Sequence, residues 1–118
     1  MKQSTRLTRS TDIKRVRRLG KSYAHPLLVL VVMPNDLDVS RSAIVASHTV
    51  GKAVERNLAR RRIRACLTDF QPYIGKGADL VWVVRAPLAN AEYADIRNAV
   101  CLLLNRAALY QRDCNYEG

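Results

Sequence analysis

Residues 52–64 read KAVERNLARRRIR, six positive side chains against one acid in thirteen residues. At about 100° per residue, Asn57, Arg60, Arg61, Arg64 and Thr68 fall within one arc of a helix. Ala59, Ile63, Cys66, Leu67 and Phe70 fall on the arc beside it. The segment reads as a helix docked on a core by its apolar face, presenting a row of guanidinium groups on the next. Such a row is an anion-binding surface on a rigid element, and the commonest extended polyanion in a cell is nucleic acid.

The surrounding sequence supplies the core. Residues 11–19 predict a short helix, with Ser10 or Thr11 to cap it, Gly20 to end it, and Ile13, Val16 and Leu19 on one face. Residues 23–33 (YAHPLLVLVVM) predict a strand entered at Pro26, and residues 42–49 (SAIVASHT) a second. The basic helix follows and ends near Pro72. Residues 78–85 (ADLVWVVR) predict a third strand, and Asn90 caps a last helix whose buried stripe is Ile96, Val100, Leu103, Ala107 and Tyr110. The order α-β-β-α-β-α predicts an α/β (α+β) two-layer sandwich: a small mixed sheet of three to four strands with helices packed on it. At 118 residues the chain is a single domain, 1–118, with residues 1–9 expected as a flexible basic arm.

Charge is segregated. Of 20 Lys and Arg, 14 lie in residues 1–21 and 52–64, against only Asp12 and Glu55 among the ten acids. Arg outnumbers Lys fifteen to five, favouring planar contacts to paired phosphate oxygens and stacking on bases. Three widely spaced cysteines without a CxxC pair argue against zinc; Cys66 and Cys101 are expected as packed thiols in a reducing compartment. The start MKQSTRLTRSTDIKR has no apolar stretch of a signal peptide, and the apolar run 27–33 is too short to span a bilayer. A soluble, cytoplasmic protein is expected.

The parts of a hydrolase are missing from the pattern. His25 and His48 stand 23 residues apart, and Asp36 and Asp38 sit in a loop of turn residues where solvation is the simpler role. Gly51-Lys52 resembles a phosphate-binding loop but lacks its first Gly and closing Ser/Thr.

The stretch SHTVGKAVERNLARRRIRACL (47–67) resembles the signature region of the protein subunit of bacterial ribonuclease P. Arg56-Asn57 match the opening of that family's Arg-Asn-Arg motif, Arg60-Arg61 its basic pair, and Arg64 its last Arg. RLTRSTDIKRVRRLG (6–20) resembles the family's first helix, and VWVVRAP (81–87) its last strand with the closing basic residue. The resemblance implies an accessory polypeptide of a ribonucleoprotein endoribonuclease, with no catalytic residues of its own. Its partners would be the catalytic RNA and precursor tRNA, with the 5′ leader removed by the RNA. It implies a monomer within the particle, with no DNA and no membrane. No cofactor or metal is expected on the protein, since magnesium belongs to the catalytic RNA. Lys52, Arg56, Asn57, Arg60, Arg61, Arg62 and Arg64 would bind the catalytic RNA, and Ile13, Arg17, Val31, Ser47, His48 and Arg85 would line a cleft for the leader.

The chain departs from the family pattern in three places. Leu58 replaces the second Arg of the motif, so the role of that Arg is either missing or taken over by Arg62. His48-Thr49 replaces a basic pair, and Ile13, Arg17 and Val31 stand where aromatic residues line the cleft. A different class, a non-enzymatic RNA-binding module such as a ribosomal protein, would show the same basic helix without the cleft. Helix-turn-helix DNA binding fits less well, because strands flank the basic helix on both sides.

Overall fold

The computed structural model describes residues 5–110 and 114. Seven elements follow in the order α1 (Ser10–Leu19), β1 (Lys21–Ala24), β2 (Leu28–Pro34), β3 (Arg41–Val45), α2 (Ala53–Phe70), β4 (Ala78–Val84) and α3 (Tyr93–Arg106). The four strands form one mixed sheet in the order β1-β2-β4-β3. β1/β2 and β2/β4 are antiparallel, whereas β3 and β4 are parallel and α2 is the crossover between them. A crossover of this kind sets a helix against a sheet face.

The expected mixed sheet with packed helices is present, with one strand more than the order read from sequence. Residues 23–33, expected as a single strand, fold instead as the β1–β2 hairpin. The turn is made locally: the His25 amide donates to the Leu28 carbonyl at 2.8 Å, and the Leu27 amide donates to His25 Nδ1 at 3.1 Å. Pro26, lacking an N–H, sits in the turn and not in a ladder. Lys21 and Ser22 complete the short outer strand.

β4 is central and buried nearly throughout, which explains its continuous apolar sequence. Leu80, Trp82 and Val84 face one side with Leu28 and Leu30 of β2, under α2 and α3. Val81 faces the other with Val31 and Ala43, under Val16 of α1 and Leu7. The α2–α3 layer gives the sandwich its main core; α1 covers part of the opposite face. Asp79, almost fully buried in β4, is held by both nitrogens Nε and Nη2 of Arg41 at 2.9 Å and by Asn35 Nδ2 at 2.8 Å.

Helix faces follow the sequence closely. α2 buries Ala59, Ile63, Cys66, Leu67 and Phe70, the arc set by its periodicity. In α3, Ile96, Val100 and Leu103 are buried as expected. Ala107 and Tyr110 lie past the helix end and pack there, Tyr110 edge-on to Phe70 with ring centroids 5.1 Å apart. Asn90 does not cap α3; it closes a short turn after Pro87, and Glu92 takes the cap position. In α1 only Val16 is buried, and Leu19 is exposed. Cys101 is not a free thiol: it forms a disulfide with Cys114, which overturns its reading as a packed thiol. Cys66 is free and buried. No helix among the described residues is long and apolar enough to cross a membrane.

Candidate RNA interface

Asn57, Arg60, Arg61 and Arg64, with Val54, line one open depression of about 720 Å³ on α2. The helix that carries them is fixed by five buried residues on its neighbouring face, so the row is stiff at its base. Arg60 is further held by its own side chain. Its Nη1 donates to Asn57 Oδ1 at 2.9 Å, and its Nη2 to the Ala46 carbonyl at 3.3 Å. That bond turns the Asn57 oxygen inward and leaves its amide nitrogen to donate outward. The ion pairs of the described residues are Asp12–Arg15, Arg41–Asp79 and Asp69–Arg97, and none involves the row. Among the described residues no carboxylate is therefore paired with its positive charge. Arg64 also keeps a buried Nε without a hydrogen-bond partner.

The other basic residues of this segment stand elsewhere. Arg62 donates Nη1 to the Ala91 carbonyl at 3.2 Å and so ties α2 to the segment before α3. It does not line the depression. Arg56 is half-buried on the side of the core arc, with its own Nε unpartnered, and does not line the depression either. Lys52 is exposed at the N-cap of α2. Gly51 before it has φ 140°, where a Cβ would also lie 3.0 Å from Glu55 Cβ. A backbone requirement thus explains the glycine that resembled part of a phosphate loop.

The second surface lies on the α1 face of the sheet. Gly20 lets α1 close onto it: a Cβ there would stand 2.6 Å from the Val16 carbonyl oxygen and 2.8 Å from Val31 Cγ1. Val31 is consequently buried beneath α1 at 4% exposure, so it is core and not cleft lining. The floor left partly open is the next row, Val29, Val83 and Val45, aligned across three strands by their register. These valines were missed in the sequence, although strand alternation puts them on the same face as Val31. Ile13 is half-buried beside them, and Arg17 is exposed one turn further along α1.

The parallel pairing of β3 and β4 brings their C-terminal ends together, and with them Ser47, His48 and Arg85. All three are exposed. Ser47 and Thr49 hydroxyls lie 2.8 Å apart, and Arg85 Nη1 donates to the His25 carbonyl at 3.4 Å. Tyr23 does not reach this face. It pairs with Leu30 and packs on the α3 side, with Lys21 Nζ 5.5 Å from its ring centre.

The expected flexible arm is corrected in part. Residues 1–4 lie outside the described residues, but the chain from Thr5 lies along the β3 edge. The Leu7 amide donates to the Ser42 carbonyl at 2.9 Å, and both Thr5 and Leu7 are buried. Among the described residues no cluster of three or more His, Cys, Asp or Glu offers a metal site.

The Ribonuclease P family model matches residues 1–108. The chain belongs to the ribonuclease P protein family. A ribonuclease P protein component from Herpetosiphon aurantiacus is 38% identical over 110 residues, covering 93% of this chain and 89% of the relative. One from Dehalococcoides mccartyi strain CBDB1 is 35% identical over 112 residues, covering 95% and 92%. Among solved structures, the ribonuclease P protein of Thermotoga maritima superposes with TM-score 0.78 at 30% identity, covering 86% of this chain and 96% of that one. That of Staphylococcus aureus gives 0.83 at 26% identity, covering 91% and 98%. As a ribonuclease P protein the chain is the accessory subunit of a ribonucleoprotein endoribonuclease that matures tRNA 5′ ends, which sets aside the ribosomal alternative.

Proposed function

We propose that the α2 row of Asn57, Arg60, Arg61 and Arg64 docks on the phosphate backbone of the catalytic RNA. The α1 face, through Ile13, Arg17, Val29, Val45, Val83, Ser47, His48 and Arg85, receives the 5′ leader of precursor tRNA. The observation that carries this reading is the gathering of three guanidinium groups in one open depression with no carboxylate paired to any of them. Folded RNA hides its bases, so such a surface recognises backbone and shape. Asn57 and the tethered Arg60 fix register; Arg61 and Arg64 add charge.

The cleavage chemistry and its magnesium stay with the RNA. The protein acts as a monomer in the bacterial cytoplasm, does not engage DNA, and lowers the magnesium needed to hold RNA and substrate together. The test is cleavage of precursor tRNA by the catalytic RNA at low magnesium, with and without the protein. Wild-type protein should stimulate cleavage, and Arg60→Ala with Arg64→Ala should abolish that stimulation. Equal stimulation by both proteins would remove the α2 row from the mechanism.

A further inference from the structure

Arg64 also lines a second, smaller depression, of about 170 Å³, at the outer edge of β3. Its polar lining includes Arg6, Thr8 and Arg64; Ile13, Ala43 and Ile44 are apolar parts of its wall. We propose that this pocket holds one nucleotide of the single-stranded leader, its phosphate between Arg6 and Arg64 and its base against the apolar wall. The inference rests on the leader-cleft reading above and adds to it a site and a residue, Arg6.

Three observations converge on that occupant. Arg6 is held in place, because Thr5 and Leu7 on either side of it are buried and Leu7 is hydrogen-bonded to Ser42. None of the lining residues is acidic, so two guanidinium groups face the same small space without a counter-charge. The volume corresponds to roughly five or six water volumes at ~30 Å³ each, which admits a phosphate together with one edge of its base, the rest of the nucleotide lying outside, but no duplex.

Position selects the leader over the catalytic RNA. The pocket shares Ile13 with the leader cleft and Arg64 with the α2 row, so it lies where the two surfaces meet. A strand leaving the cleft past Ile13 enters it directly. The apolar wall has no hydrogen-bonding edge, so the pocket takes any base and acts on leader position, not on leader sequence.

The experiment uses the reconstituted particle with precursor tRNA bearing either a one-nucleotide or a ten-nucleotide leader. Arg6→Gln should weaken binding of the long-leader substrate about tenfold, the scale of one charge-assisted contact. It should flatten the log–log salt dependence of that binding by roughly 0.7. Short-leader binding and protein affinity for the catalytic RNA should stay within about twofold, and Arg6→Lys should recover part of the loss. Thr8→Tyr, which fills the pocket from an exposed position, should reproduce the long-leader defect without removing a charge. Equal loss on both leaders, loss of affinity for the catalytic RNA, or no change in either variant would overturn the pocket. Wild-type protein that fails to favour the longer leader would overturn the cleft reading itself, a different result from wild-type discrimination that survives Arg6→Gln.

Discussion

On α2, an eighteen-residue helix holds Asn57, Arg60, Arg61 and Arg64 over a packed face, and none of the described ion pairs supplies the row with a carboxylate. On the α1 face, by contrast, the floor is three aligned valines with Ile13 at their side, and charge stands at the margins, in Arg17, Arg85 and, beyond Ile13, Arg6 and Arg64. The first surface is built for a polyanion of fixed shape. The second is a partly buried apolar strip whose floor carries no aromatic ring, and base–aromatic stacking is worth about 1–3 kcal/mol per base. On the proposed assignment, grip on the catalytic RNA is electrostatic and stiff, and grip on the leader is weak and tolerant of sequence.

The sharpest way to break this contrast is to remove charge from α2. Arg60→Ala with Arg64→Ala should lower affinity for the catalytic RNA about a hundredfold at physiological salt, measured by filter binding, since each charge-assisted contact is worth roughly tenfold or more. A smaller change runs the other way on the cleft. Ile13→Phe supplies the missing ring at a half-buried position and should tighten binding of long-leader precursor about fivefold, leaving leaderless tRNA unchanged. Arg62→Ala separates basic from RNA-binding. It should cost about 1 kcal/mol of stability by removing the bond to Ala91, read by denaturant unfolding, and change catalytic RNA affinity less than about twofold.

The smallest effect concerns acid. Burial, and then the Arg106 charge, hold the His25 imidazole below its ordinary value of 6.5. The fold prefers the neutral ring, whose Nδ1 accepts the Leu27 amide proton in the turn that also receives Arg85. This contribution is complete above a pH of about 6.5 and is lost as pH falls through the lowered folded value. The thermal midpoint of wild type should fall more on acidification than that of His25→Gln. An equal fall in both proteins would remove His25 from the account.

Legibility followed the range over which each feature is determined. The face of α2 was readable because its helical period and packing are local, and the same phase puts Arg62 about 140° from Asn57, off the row. The hairpin was not, since residues 23–33 are almost continuously apolar and the turn depends on a His25 side-chain bond. Val31 in place of Val29, Val45 and Val83 is an error of one row: alternation names the face, but only the position of α1 decides which row it covers. The ordered stretch at Thr5–Leu7 depends on pairing with Ser42, far along the chain, and the Cys101–Cys114 bond is one of three pairings that three cysteines allow.

The most direct test compares salt dependences. Protein–catalytic RNA affinity is measured for wild type and for Arg60→Ala with Arg64→Ala across a series of monovalent salt concentrations. If the two guanidinium groups sit on phosphates, the log–log slope of the double variant is shallower by roughly 1.4–1.8. Parallel lines, whatever their offset, would mean that the row does not touch the RNA backbone.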